Sequence, residues 1–183
     1  MFEPVSSPLP GCIEIRPRVV DDARGRFVKV FHDGAFRELG WETGFVEEYY
    51  SVSRRNVLRG MHFQRPPVDH AKLVYCVEGA VLDVALDLRR GSPAYGKSVA
   101  FDLSADRANM VYLPRGLAHG FLVVSERATL VYMVTSTHSP AHDDGVLWNS
   151  FGAPWPVADP ILSERDRGFP PLSAFASPFA YGE

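Results

Sequence analysis

The chain has 183 residues, 46% of them hydrophobic and 22% charged, with a formal net charge of −3. This length suits one domain, which we predict over residues 1–183, and the composition is that of a globular protein rather than a disordered or fibrous one. The slightly negative charge excludes a broad basic surface for nucleic acid. There is no signal peptide, long apolar run or metal-ligand cysteine spacing. We therefore predict a cytoplasmic protein that does not bind membranes, with Cys12 and Cys76 as buried free thiols rather than a disulfide.

Period-two alternation dominates the sequence. In residues 81–88 (VLDVALDL) four apolar residues, Leu82, Val84, Leu86 and Leu88, share one face and the aspartates the other, which predicts a half-buried strand. Similar strands, separated by Gly, Pro, Ser or Asp turn signals, are predicted at residues 11–16, 27–31, 45–53, 58–63, 71–77, 96–103, 109–113, 120–124 and 129–135. Many short antiparallel strands indicate an all-β sandwich or barrel.

Helical signals are few. Residues 33–39 predict one short helix, with Asp33 as the N-cap and Gly40 as the stop. The segment from Trp148 to the end is rich in Pro, Gly and Ser. It predicts loops that wrap around the strands, with one helical turn near residues 163–166.

Three predicted strand segments carry ionisable residues among apolar neighbours: residues 59–64 (RGMHFQ), 71–74 (AKLV) and 117–121 (LAHGF). In a barrel, alternation sends His62 and Lys72 inward, where an unpaired charge is costly. Each residue alone is best interpreted as a satisfied core histidine or a lysine whose ammonium reaches solvent. Together they favour a small-molecule pocket, which combines apolar walls with a few convergent polar groups.

A metal site is not predicted. Residues 114–119 (PRGLAH) resemble the second half of the cupin signature, a PxGxxH turn between barrel strands. The first half, a HxH pair followed by Glu, is missing because only His62 stands in the corresponding region. A catalytic metal needs about three protein ligands. We therefore predict neither a metal nor another cofactor.

Longer motifs carry a more specific resemblance. They are residues 22–27 (DARGRF), 57–64 (VLRGMHFQ), 72–74 (KLV), 83–89 (DVALDLR), 92–93 (SP), 117–121 (LAHGF), Tyr132 and residues 162–166 (LSERD). Through these motifs the sequence resembles the dTDP-4-dehydrorhamnose 3,5-epimerase family of dimeric, metal-free cupins. The motifs follow one another in the same order as in that family and span nearly the whole chain. The resemblance implies a cupin jelly-roll barrel or sandwich with few short helices. It also implies a cofactor-independent isomerase that inverts C3, C5 or both of a nucleotide-linked 4-keto-6-deoxyhexose.

The resemblance implies a role for each matching residue. His62 is the general base, oriented by Asp166, and Tyr132 is the acid that returns the proton on the opposite face. Lys72 lies beside the C4 oxygen, where an ammonium stabilises the enolate that forms when a C–H next to a ketone loses its proton. The implied substrate-binding positions are Arg24, Phe27, Lys29, Glu47, Tyr49, Arg59, His119 and His138.

Departures from the family pattern concentrate away from the catalytic set. Lys29 stands where thymidine-specific members carry a Glu that accepts the base N3–H, and an ammonium can only donate. Residues 45–49 (FVEEY) replace the family's FVQDN, while Tyr75 and His138 replace an Arg and a Tyr. One hypothesis is that the nucleotide is CDP. The alternative is that Lys29 faces solvent or pairs with Glu47 or Glu48 and the nucleotide remains dTDP.

Two other functions compete with epimerisation. A nucleotide-sugar 3,4-ketoisomerase shares the scaffold and the first enolate, but the opposite-face donor Tyr132 favours epimerisation. A non-catalytic sugar-binding cupin would not need the set of His62, Asp166, Lys72 and Tyr132. The resemblance further implies a homodimer in which the amino-terminal strands, with Arg24 and Phe27, cross to the partner subunit.

Overall fold

The computed structural model describes residues 1–182, so residue 183 of the predicted domain lies outside the described part. Nearly all of its regular structure is β, with two short α-helices and one 3₁₀ turn at Leu172–Ala174. The strands are β1 (Phe2–Ser6), β2 (Ile13–Pro17), β3 (Val19–Asp22), β4 (Gly25–Val28), β5 (Glu47–Arg54), β6 (Leu58–Gln64), β7 (Lys72–Glu78), β8 (Ala80–Asp87), β9 (Ser98–Ser104), β10 (Met110–Leu113), β11 (Leu117–Val123), β12 (Arg127–Val134) and β13 (Asp143–Gly145). The helices are α1 (Asp33–Glu38) and α2 (Glu164–Arg167).

The strands form two large open antiparallel sheets that pack face to face. The six-stranded sheet has the order β1-β2-β10-β7-β12-β5, and the five-stranded sheet has the order β13-β6-β11-β8-β9. Side chains from both sheets meet in one hydrophobic cluster between them, which includes Val81, Ala85 and Phe121 from one sheet and Val74 and Leu130 from the other. The prediction of an all-β, cupin-like sandwich is confirmed, with open sheets rather than a closed barrel.

Strand β8 is buried on both faces, so the expectation of a half-buried strand was wrong. Leu86 and Val84 face away from the second sheet, yet they are fully buried because the C-terminal segment covers them. The aspartates alternate with these residues and therefore point between the sheets, where Asp83 and Asp87 are 0% exposed. Alternation thus identified the two faces, but the polar face is the inner one.

Segments outside the strands cover the outer face of the five-stranded sheet and part of the outer face of the six-stranded sheet. On the five-stranded sheet, Phe151, Phe175 and Phe179 pack against the outward residues of β6 and β8. On the six-stranded sheet, Phe36 of α1 packs edge-on against Trp41, which in turn stacks on Tyr112 of β10. Burying each such side chain contributes about 1.5–3 kcal/mol. The loop-rich C-terminal segment is therefore part of the core, as its predicted wrapping implied.

Several details differ from the sequence predictions. Helix α1 is capped by His32, whose Nδ1 accepts from the Ala35 N–H at 3.2 Å, rather than by Asp33. Strands β1, β3 and β13 were not predicted, and the strand expected at residues 27–31 ends at Val28 after beginning at Gly25.

Cys12 and Cys76 are buried free thiols. Within residues 1–182, no helix has the length and apolar character needed to cross a bilayer.

Candidate active site

A cavity of about 430 Å³ opens between the two sheets. Most of its walls are polar or ionisable side chains, in contrast to the apolar cluster that fills the rest of the inter-sheet space. Its lining residues are Glu47, Tyr49, Ser51, Arg59, His62, Phe63, Gln64, His70, Lys72, His119, Tyr132, Val134, His138, Asp143 and Arg165. The cavity therefore brings together His62, Lys72 and Tyr132, which lie far apart in the sequence.

His62 and Asp166 form a hydrogen-bonded pair at one wall. The His62 Nε2 atom lies 2.9 Å from Asp166 Oδ1, and the Gly60 N–H donates to the other carboxylate oxygen at 3.1 Å. Burial raises the pKa of Asp166, but the hydrogen bonds from His62 and Gly60 outweigh it and lower the pKa to about 2. Burial lowers the pKa of His62 despite the Asp166 carboxylate. The imidazole is therefore neutral at neutral pH, as a base must be.

Two glycines allow β6 and β11 to approach closely at His62. Gly60 has φ +137°, and a Cβ on it would lie 2.5 Å from the Gly120 Cα. The register of β11 against β6 shifts between His119 and Phe121, and His119 is the direct neighbour of His62. The glycines of the RGMHF and LAHGF motifs therefore set the position of both histidines.

Tyr132 enters the cavity from the opposing sheet. Its ring stacks on that of Tyr49 with centroids 4.8 Å apart, and its hydroxyl lies 3.0 Å from Ser51 Oγ. Burial raises the pKa of the Tyr132 phenol. The hydroxyl therefore keeps its proton at physiological pH and can donate it.

Lys72 is an unpaired cation in the cavity. It is only 7% exposed, and its ammonium forms no hydrogen bond or ion pair with any residue in the range 1–182. Burial lowers the pKa of Lys72 to about 8, although Asp143 and Asp83 act in the opposite direction. Three free donors in a low-dielectric pocket suit an oxygen atom that develops negative charge.

His119 is paired with a carboxylate that the sequence motifs did not single out as functional. Its Nε2 lies 2.7 Å from Asp83 Oδ2, and both side chains are almost fully buried. Asp83 Oδ1 has no hydrogen-bond partner within residues 1–182. Asp83 could have been found from its place in the alternation of β8, had the inner face of that strand been known.

Four predicted substrate-binding residues line the rim of the same cavity. Arg59 donates from Nε to Ser53 Oγ at 2.9 Å, and Glu47 accepts from the His138 backbone N–H at 2.8 Å. Tyr49 is 41% exposed, and burial of its hydroxyl end raises its pKa to about 12. His138 is exposed. The rim therefore offers a cation, a carboxylate and an aromatic face to a ligand.

The other three predicted contacts, Arg24, Phe27 and Lys29, do not line this cavity within one chain. Arg24 and Phe27 belong to the β3–β4 hairpin, which forms its own two-stranded sheet. Arg24 pairs with Asp22, and Phe27 is 64% exposed. Lys29 is exposed and forms no ion pair with Glu47 or Glu48. On this hairpin, Arg26 donates a hydrogen bond to the Asp106 carbonyl at 2.8 Å.

Arg165 and Asp143 also line the cavity, and sequence reasoning missed both. Arg165 precedes Asp166 on α2 and pairs with Asp143 on β13. A signal for Arg165 lay in the LSERD motif itself, because the next residue, Asp166, is the carboxylate predicted to orient His62. Within the described residues, no group of three or more His, Cys, Asp or Glu side chains is placed to hold a metal ion.

Fold and site together define a cupin-like β-sandwich enzyme equipped to move protons within one small cavity. The family model described as dTDP-4-dehydrorhamnose 3,5-epimerase matches residues 6–174. The dTDP-4-dehydrorhamnose 3,5-epimerase of Shigella flexneri is 39% identical over 165 residues, which cover 88% of this chain and 91% of that protein.

Solved structures agree with this match. The dTDP-6-deoxy-D-glucose-3,5-epimerase of Legionella pneumophila, in complex with dTDP-4-keto-L-rhamnose, superposes with a TM-score of 0.95 at 30% identity, covering 100% of both chains. A 3'-monoepimerase from Streptomyces bikiniensis, in complex with dTDP-quinovose, gives a TM-score of 0.87 at 36% identity, covering 91% of this chain and 86% of that one. The chain belongs to the dTDP-4-dehydrorhamnose 3,5-epimerase family. It is an epimerase, of the isomerase class, that acts on nucleotide sugars.

Proposed function

We propose that this enzyme inverts carbons next to the C4 ketone of a dTDP-linked 4-keto-6-deoxyhexose, with His62 as base and Tyr132 as acid. One observation carries the proposal: the neutral imidazole and the protonated phenol reach a single cavity from opposite sheets. A sugar ring bound between them would present one face to each group. Inversion requires this arrangement, because the returning proton must come from a donor other than the base.

The steps balance without any other reactant. His62 takes the proton from the carbon, and the two C–H bonding electrons form the enolate C=C bond while the C4 carbonyl becomes an oxyanion. Lys72 donates a hydrogen bond to that oxygen. The enolate then takes a proton from the Tyr132 hydroxyl on the opposite face, which restores the ketone. Solvent re-protonates the phenolate and removes the proton from His62, whose orientation Asp166 fixes throughout.

The names of the relatives support dTDP as the nucleotide. The Legionella and Streptomyces proteins are described with dTDP-linked ligands. The CDP hypothesis rested on Lys29, which is exposed and outside the cavity of its own chain, so it bears on the choice of nucleotide only through the cavity of a partner subunit. Thermal-shift titration with dTDP, CDP, UDP and GDP separates these cases, because a ligand stabilises the fold in proportion to its occupancy. A large shift with CDP and none with dTDP would overturn the choice of dTDP.

Solvent exchange tests the acid and base roles. The wild type, incubated with dTDP-4-keto-6-deoxyglucose in D₂O, should incorporate deuterium at C3, C5 or both, as read by NMR. His62→Ala should abolish the exchange, and Tyr132→Phe should keep exchange but lose inversion. Tyr95→Phe is a matched control, because Tyr95 is an exposed tyrosine away from the cavity. Equal exchange in wild type and His62→Ala would exclude His62 as the base.

We also propose that residues 1–183 form one domain that assembles as a homodimer, in the cytoplasm where its thiols stay reduced. An apolar group on the outer side of the six-stranded sheet supports the dimer: Tyr50, Val52 and Val77 are 71%, 47% and 52% exposed. The exposed Phe27 and Arg24 would then reach a partner's cavity. Multi-angle light scattering should give twice the chain mass, whereas a stable, active monomer would contradict the proposal.

A further inference from the structure

The Arg165 guanidinium and the Asp166 carboxylate contact the same imidazole nitrogen of His62. The Arg165 Nη2 atom lies 2.8 Å from His62 Nε2, which is itself 2.9 Å from Asp166 Oδ1. The Arg165 Nε atom lies 3.4 Å from that carboxylate oxygen. One ring nitrogen therefore has both a cation and an anion within hydrogen-bond distance.

In any one protonation state, His62 Nε2 can form a hydrogen bond with only one of these two partners. A ring nitrogen carries either one in-plane hydrogen or one lone pair. Donation from Nε2 to Asp166 leaves the lone pair on Nδ1, which forms no hydrogen bond with residues 1–182. Acceptance by Nε2 from Arg165 places the hydrogen on Nδ1 instead. In the doubly protonated imidazolium, an N–H and a positive charge would face the Arg165 cation, which is repulsive.

The position of Arg165 is fixed from two further sides. The Asp143 carboxylate on β13 accepts a hydrogen bond from Nη1. The guanidinium carbon lies 5.6 Å from the centroid of the Phe169 ring, and that ring packs edge-on against His62 with centroids 5.8 Å apart. An arginine with a carboxylate partner and an aromatic support is held in place rather than free in solvent.

We propose that Arg165 is a positioning residue for the base, and that its guanidinium disfavours the imidazolium form of His62 so that the base is free when substrate arrives. The proposal rests on the proposed function, since it takes His62 as the base. Other groups also face His62: Asp166 from α2, Lys72 from β7, His119 from β11 and Tyr132 from β12. Of these, Lys72 lowers the pKa of His62, as Arg165 does, whereas Asp166 raises it.

The catalytic consequence is a base that stays unprotonated at lower pH and returns its proton more readily. Loss of the Arg165 charge should raise the pKa of His62. The acid limb of the pH profile of kcat/KM reports that pKa in the free enzyme. A half-exposed unit charge in contact with the ring, screened by solvent, should move that limb by about one pH unit.

Three variants test the proposal in the full-length enzyme. Arg165→Gln should move the acid limb to higher pH by about one unit, while Arg165→Lys, which keeps the charge, should leave it close to the wild type. Arg167→Gln is the matched control: it removes the same charge from the same helix, but Arg167 faces Glu164 on the surface, 4.0 Å away. An unmoved limb in Arg165→Gln, or an equal movement in Arg167→Gln, would overturn the proposal.

A second readout does not need turnover. NMR of histidine-labelled enzyme without substrate follows the His62 titration directly, with its resonance assigned by its loss in His62→Ala. The His62 pKa should be about one unit higher in Arg165→Gln than in the wild type. If His62→Ala retains exchange, the proposed function fails. If His62→Ala is inactive and the His62 titration is unchanged in Arg165→Gln, only the role of Arg165 fails.

Discussion

Lys72 gives the sharpest test of how the site and the fold are coupled. Burial lowers its pKa from 10.5 to about 8, so the folded protein carries this ammonium at a cost. The difference between these values corresponds to about 3 kcal/mol of unfolding free energy. Lys72→Met replaces the ammonium with an apolar group of similar length. At pH 7 it should raise the free energy of unfolding by up to about 3 kcal/mol, while solvent exchange falls by about 10²–10³-fold.

The sign of the pH dependence follows from proton binding. Below about pH 8 the lysine is charged in both the folded and unfolded states, and the full cost is present. Between about pH 8 and 10.5 the unfolded chain holds more protons than the folded one, so wild-type stability rises with pH. The advantage of Lys72→Met should therefore shrink by about 2 kcal/mol between about pH 7 and 9.5.

Urea denaturation at fixed protein concentration measures this difference. Tryptophan fluorescence follows the transition, because the chain contains 3 Trp residues. Lys97→Met is the matched control, since Lys97 is exposed and should change stability by less than about 0.5 kcal/mol. Two results would refute this reasoning: a Lys72→Met variant that is less stable than the wild type at pH 7, or a stability difference between the two that does not depend on pH. Either would show that burial of the ammonium does not lower the free energy of unfolding.

The remaining predictions concern residues in or near the cavity that contact the two histidines or pack beside them. Asp166→Asn should lower the unfolding free energy at pH 7 by about 2 kcal/mol; the pKa of Asp166 is lowered from 3.8 to about 2, so this gap should close as pH falls through that interval in acid titrations. Gly145→Ala places a methyl group against the Phe169 ring, and should lower kcat by about tenfold with a smaller change in KM, as steady-state kinetics would show. Asp83→Asn should leave His119 in place but change its hydrogen bond, with exchange reduced by about tenfold in the D₂O assay; an unchanged rate would limit Asp83 to a structural role.

The strands were predictable where alternation was long and regular. Residues 58–63 and 71–77 coincide closely with β6 and β7, because each strand is bounded by turn residues and carries apolar residues on at least one face. Strand β13 (Asp143–Gly145) has no apolar alternation, and it forms because the edge of β6 offers it hydrogen-bond partners. Short strands of this kind depend on tertiary pairing, which a local pattern does not contain.

The candidate site was predictable through motifs rather than through periodicity. The motifs supplied His62, Lys72 and Tyr132, and all three reach one cavity. Alternation could not supply Asp83, because both faces of β8 are buried and nothing local distinguishes the inner one. Motif matching also could not tell whether Arg24 serves the cavity of its own chain. Its position on a separate hairpin is a property of the assembled fold.

The polar cavity gives the outer layers a large share in the hydrophobic stabilisation of this fold. Lys72, Asp83 and His119 occupy inter-sheet positions that apolar side chains would otherwise fill, so part of the sandwich interior contributes little hydrophobic stabilisation. The outer layers supply what the interior lacks, through aromatic residues such as Phe36 and Phe179. The C-terminal layer also delivers Asp166 to His62. Docking of that layer therefore both adds to the core and places Asp166 beside His62, so we expect the packing of the C-terminal segment and the orientation of the proposed base to depend on each other.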